Sequence, residues 1–257
     1  MLITYQTGGG VLFIANAIKF IKIPGYPFAY WISDKLVEAF SGAKLGEIAA
    51  PRQGLATGDN NKFLRLWFEV DIENACFNAT DGINAFASGK KWFPCNKGGA
   101  FRKWYGNNEY VVNWKDNGKE ISNFVDANGN LRSRPQNRQY YFMEGATWST
   151  LSSADFSMRY TPKGFIFETK GSMCFAKDRL ALKYIIGVLN SKVTKSLLLV
   201  LSPTLDYHEG PLSRVPIIID VEEQKRTDEL TSSNIEIAKV DWDSFETSWD
   251  FKKHPLI

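Results

Sequence analysis

Phe165-Ile166-Phe167-Glu168-Thr169-Lys170-Gly171-Ser172-Met173-Cys174-Phe175, running on to Asp178 and then Leu180, Tyr184, Ile185, Val188 and Leu189, is the stretch whose reading sets the fold class. The two short apolar runs on either side of Gly171 have the length and aromatic content of strands, and predict a strand pair. After Asp178 the apolar positions recur at three and four residues, the spacing of a helix with one buried face, and Asp178 stands where an N-cap belongs. Strands feeding a helix without a βαβ period predict a mixed α+β fold of short strands, hairpins and packed helices.

The same reading extends outward. Tyr110 to Trp114 followed by Asp116-Asn117-Gly118, and Asp126 with Asn128-Gly129, predict hairpins. Upstream, the turn-rich run Gly54-Leu55-Ala56-Thr57-Gly58-Asp59-Asn60 leads into Phe63, Leu64, Leu66, Trp67, Phe68 and Val70, which reads as a loop entering a half-buried strand. In that loop Gly54 and Gly58 permit left-handed backbone, and Thr57, Asp59 and Asn60 can close turns through local hydrogen bonds. Trp31, Ile32, Leu36, Val37 and Phe40 predict an amphipathic helix over 29–40 that stops at Ser41-Gly42. Gly8-Gly9-Gly10 precede an apolar run instead of following a strand, so they read as a flexible leader and not as a nucleotide loop.

Composition bounds the rest. The chain has 257 residues, 44% hydrophobic and 23% charged, enough to bury a sizeable core and to exclude disorder as the main state. Three scattered cysteines and two histidines argue against a disulfide framework or a zinc site and for a reducing cytoplasm. There is no signal-peptide pattern, and the longest apolar run, 197–201, is too short to span a membrane.

Net charge is only +3, but it is unevenly spread. From Lys90 to Arg138 there are ten lysines and arginines against four acids, and from Asp220 to Lys253 ten acids against five bases. A basic, aromatic middle suggests a polyanion-facing surface, and the acidic end a tail that stays away from it. Within the middle, Lys97, Arg102 and Lys103 can neutralise phosphates, and an exposed Trp104 or Tyr105 can stack; the alternative is that the aromatics are core and the cations their solvated neighbours. No Gly-x-Ser-x-Gly elbow occurs for serine hydrolysis. Asp155 with Glu168 and Lys170 has the residue types of a magnesium-dependent nuclease, although Glu-x-Lys on a strand is common by chance.

Several of these segments together carry a resemblance: Ile23-Pro24-Gly25, Ala29-Tyr30-Trp31, residues 51–60, residues 92–107, Thr147-Trp148-Ser149, residues 165–175, Leu189-Asn190-Ser191-Lys192, Ser202-Pro203-Thr204-Leu205 and residues 241–251. In that order they resemble the PglX family of adenine-specific DNA methyltransferases from BREX phage-defence systems. More broadly they resemble the target recognition domains of fused restriction-modification enzymes and type I specificity subunits. The interspersed strands and helices predict a mixed α+β domain over about 43–220, which the resemblance identifies as a target recognition domain, with a leader and linking helix over 1–42 and an acidic aromatic segment over 221–257. In the family a separate catalytic domain binds S-adenosylmethionine and methylates adenine. This sequence carries neither a convincing cofactor loop nor an Asn/Asp-Pro-Pro-aromatic motif. The resemblance therefore implies a module that reads double-stranded DNA, holds no cofactor and has no catalytic residues of its own. Its partners would be the catalytic domain or other defence proteins. The acidic segment 241–251 reads as a docking segment for them, and a protein-interaction piece that never touches DNA is the remaining alternative.

Overall fold

The computed structural model describes residues 2–6, 12–178 and 181–257. Its strands, numbered along the chain, form three sheets. β1 (Leu2–Gln6) and β2 (Leu12–Asn16) make an antiparallel ribbon. The first large sheet is antiparallel, in the order β3 (Ala49–Arg52), β10 (Met173–Ala176), β7 (Gly145–Trp148), β8 (Met158–Thr161). The second has the order β4 (Leu64–Leu66), β6 (Tyr110–Asn113), β5 (Trp92–Asn96), β9 (Ile166–Phe167). With helices packed against these sheets, the fold is α+β.

The strand pair expected around Gly171 is not a hairpin. β9 runs parallel to β5, with Cys95 opposite Ile166, whereas β10 lies antiparallel between β3 and β7 in the other sheet. The turn between them passes the chain from one sheet to the next. A side chain at Gly171 would put its Cβ 2.4 Å from the Asn96 carbonyl oxygen, so only glycine fits the crossing. Side chains alternate along a strand, and β10 uses both of its faces. Cys174 enters a core with Trp148 and Met158, while Met173 and Phe175 enter a second core with Phe93, Phe142 and Phe167. A strand buried on both faces reads as a continuous apolar run, which hides its sheet assignment.

Helices cover the outer face of the first sheet. The helix Ala181–Leu189 contributes Leu182, Ile185, Ile186 and Leu189 to the first core, and the helix Lys192–Leu201 contributes Leu197, Leu198 and Val200. Between Asp178, the predicted cap, and the first of these helices, Arg179 and Leu180 lie outside the described residues. Over the helix Ala181–Leu189 lies the long helix Val221–Asp243, capped by the Asp220 carboxylate on the Glu222 and Glu223 amides. The two come close at Gly187, where a Cβ would sit 2.6 Å from Thr231 Oγ1. Among the described residues no single helix is long and apolar enough to cross a membrane.

Other expectations need correction. The helix predicted over 29–40 spans only Asp34–Ala39, because Ser33 takes an extended conformation and caps it. Trp31 stays largely exposed, its ring edge-on to Tyr30. A strand, Leu2–Gln6, does precede the three glycines and pairs with β2, so this part is not a simple flexible leader; Gly8, Gly9 and Gly10 themselves lie outside the described residues. Leu66 ends β4, and Trp67–Glu69 is a helical turn. Nor does β6 turn back at Asp116-Asn117-Gly118. Those residues take consecutive left-handed conformations (φ 52°, 57° and 73°), and β6 pairs with β4 and β5 instead. The second turn does reverse the chain as expected: Val125 bridges antiparallel to Leu131, and the Asp126 carboxylate accepts from the Asn128 and Asn130 amides.

Candidate nucleic-acid interface

The loop 54–60 is shaped from within. Thr57 Oγ1 donates to Asn60 Oδ1 at 2.5 Å, and Asp59 Oδ1 accepts from the Lys62 amide, capping the short helix Asn60–Phe63. Gly54 lies flat on β9: a Cβ there would be 1.9 Å from the Phe167 carbonyl oxygen. At Gly58 (φ +72°) it would be 2.7 Å from the Arg132 backbone. At both glycines the space of a side chain is filled by protein backbone.

The loop 97–107 is used largely inside the molecule. Trp104 accepts from the Tyr160 amide and donates to the Met158 carbonyl, covering the free edge of β8, and its ring packs on the first core. Lys103 Nζ donates to the Asn190 carbonyl at 2.7 Å, just beyond the end of the helix Ala181–Leu189, where unpaired carbonyls favour a cation. Asn190 also accepts from the Met158 amide and donates to its carbonyl, which pins that helix end to β8. Tyr105 is only 4% exposed, so it cannot stack on a base. Burial and the nearby Asp243 and Asp250 carboxylates push its phenol upward. The Arg102 guanidinium pairs with Asp241 at 3.0 Å and lies over the Trp242 ring.

Those contacts overturn the expectation that the acidic end keeps away from the basic loop. Trp242 packs against Gly106, where a Cβ would be 2.8 Å from the indole. Trp249 meets Phe77 and Phe165, and Thr247 accepts from the Trp67 indole. Asp241, Trp242 and Trp249 therefore brace the chain internally, and only Phe245 of these aromatics is strongly exposed. Beneath the loop, Arg159 is 1% exposed, its Nε has no partner and its Nη1 reaches the Arg102 carbonyl at 3.5 Å. Burial, and secondarily Arg102, lower its pKa to about 10.

Cations free to face solvent gather elsewhere. At one end of the second sheet the approach to β4, the exit of β6 and the approach to β5 converge, bringing Lys62, Lys91, Lys115 and Lys119 around a groove of about 920 Å³. Asp116 and Glu120 share it, and Lys62 is 3.2 Å from Glu120, whose carboxyl is held below its usual range chiefly by that contact. The left-handed turn between Lys115 and Lys119 folds over Trp114, with Gly118 against the indole, Arg138 above the ring and Arg138 Nη2 on the Asn117 carbonyl. Lys97 faces a smaller groove of about 420 Å³ with Arg65, Asn60 and Asn61, its ammonium 4.3 Å from the Tyr110 ring centroid. Only the fold brings Lys62 and Lys91 beside Lys115 and Lys119; the Asp-Asn-Gly stretch between the last two reads from sequence as a hairpin turn and gives no sign of the groove.

The nuclease residues stand apart in their contacts. Asp155 pairs with Lys195 at 2.8 Å on the surface, whereas the buried Glu168 carboxylate accepts from the Lys170 amide and the Thr169 hydroxyl within its own turn. Among the described residues no group of three or more His, Cys, Asp or Glu side chains is placed to hold a metal ion.

Comparison with known proteins adds the decisive observation. The chain is 42% identical over 242 residues to the adenine-specific methyltransferase PglX of Lacticaseibacillus casei (strain Zhang), a match covering 93% of this chain and 20% of that protein. Against the adenine-specific methyltransferase BrxX of Escherichia coli O9:H4 (strain HS) it is 40% identical over 242 residues, covering 93% and 18%. This chain matches a segment of adenine-specific methyltransferases. It spans about a fifth of the length of these curated relatives, PglX and BrxX. No protein-family model matches it.

Proposed function

We propose that the chain is the DNA-reading part of a PglX- or BrxX-like adenine-specific methyltransferase acting in BREX-type phage defence. In this reading it recognises a sequence in double-stranded DNA in the cytoplasm, while methyl transfer and S-adenosylmethionine binding belong to the catalytic part of such an enzyme. The observation that carries it is the match to adenine-specific methyltransferases along 93% of the chain. The lysine groove supports it physically, because clustered solvent-facing cations release counterions when they meet phosphates. Lys91, Lys115 and Lys119 are the proposed phosphate contacts, with Lys97 on the neighbouring groove. Arg102, Lys103, Trp104 and Tyr105 are assigned to bracing the loop. Three free, buried cysteines suit a reducing compartment.

Duplex binding by fluorescence anisotropy across a salt series tests the assignment. The triple substitution Lys91→Glu, Lys115→Glu, Lys119→Glu is expected to weaken binding at least roughly tenfold and to flatten the salt dependence by about one slope unit per lost contact. Arg102→Ala is expected to leave that slope unchanged. An unaltered salt slope in the triple variant would remove the groove from the interface.

A further inference from the structure

The long helix Val221–Asp243 has two unlike faces. Thr231, Ile235 and Trp242, four and seven residues apart, are buried against the rest of the chain. On the opposite side Leu230, Ile237 and Val240, seven and three residues apart, stand 59%, 68% and 67% exposed. That spacing places the three aliphatics on one side of the helix, at two a positions and one d position of a helix-packing seam whose other d position is Ser233. Toward its start the stripe turns polar at Glu223 and Arg226, so the apolar part occupies the later turns. Beside the stripe Glu222, Glu229 and Glu236 repeat every seven residues, all exposed. On the other flank stand Thr227, Asn234 and Asp241, the last engaged by Arg102.

We propose that this face seats a partner helix carrying an apolar seam flanked by lysines or arginines. The three exposed aliphatics lie on one face, interrupted by the small, exposed Ser233 at the position between Leu230 and Ile237, and are closer together than scattered surface residues. Charge selects the occupant. A second copy in parallel would set Glu229 opposite Asn234 and Glu236 opposite Asp241, and in antiparallel would set glutamates against glutamates; neither supplies a cation. A basic helix pairs with the glutamate row and buries its seam on Leu230, Ile237 and Val240.

The test uses the whole chain and two synthetic helical peptides with the same leucine seam, one flanked by lysines and one by glutamates. In calorimetric titration the lysine-flanked peptide is expected to bind at least tenfold more tightly, with weaker binding at higher salt. Ile237→Glu should lower that affinity at least tenfold, and the pair Glu229→Lys, Glu236→Lys should reverse the preference between peptides. Equal affinity for both peptides, or no binding of either, would overturn the proposal. So would concentration-dependent dimerisation in sedimentation that Ile237→Glu abolishes, since the face would then belong to a second copy. Duplex binding by Ile237→Glu is expected to be unchanged, which separates this surface from the lysine groove.

Discussion

Gly54 shows what single residues decide. The Phe167 carbonyl occupies the space of a Cβ there, so the β9 backbone must move if one is added. Gly54→Ala is expected to destabilise the chain by more than about 3 kcal/mol in urea unfolding. Gly82→Ala, where a Cβ meets only Phe142 at 4.0 Å, should change stability by less than about 1 kcal/mol. Cysteines offer a second reading at this scale. Burial pushes the Cys174 thiol up to about 12 and Cys95 well above its ordinary range. Native protein at pH 8 is therefore expected to alkylate at these two positions only as fast as it opens, with rapid reaction returning in denaturant; mass-spectrometric counting of modified cysteines checks it. From sequence, Gly54 is visible as a turn residue, but nothing local announces that a strand from residue 167 lies on top of it.

At the scale of elements, several strands and the helix after Asp178 were readable, whereas their partners and the long helix Val221–Asp243 were not. The runs at 165–167 and 173–175 form strands, yet Gly171 parts them into different sheets because both faces of β10 are covered. The charge asymmetry between the basic middle and the acidic end was equally plain in the sequence, whereas its meaning depended on contacts across some 140 positions, such as Arg102 with Asp241. The acidic segment holds the loop. Trp242→Ala is expected to cost about 3–5 kcal/mol, as a buried aromatic does, and Arg102→Ala less than about 1.5 kcal/mol, since the ion pair is partly exposed and the cation over the indole adds a little. Thermal unfolding of the two variants measures the difference. In the groove, Glu120 opposes the lysines around it. Glu120→Gln should raise duplex affinity about twofold to fivefold at low salt and lose that gain as salt screens the site. Its depressed carboxyl contributes stability above the usual glutamate range, a contribution lost as pH falls through the folded value and limited by exposure to less than about 1 kcal/mol.

At the scale of the whole molecule, two cores share β10, and the segment 241–251 ties the helical side to the second sheet through Trp242 and Trp249. The two faces proposed for other molecules are the lysine groove and the aliphatic stripe of the long helix. The family resemblance was legible because it rests on many short segments in order. The surface that would meet DNA was not, because its lysines come from residues 62, 91, 115 and 119 and meet only once the second sheet is built. The central claim is that sequence choice by an adenine-specific methyltransferase resides in this fifth of its length. It is tested most directly by replacing the matching 242-residue segment of Lacticaseibacillus casei PglX with this chain and mapping methylated adenines in host DNA by single-molecule sequencing. The account predicts that methylation moves to a different sequence motif; methylation that persists at the original motif would contradict it.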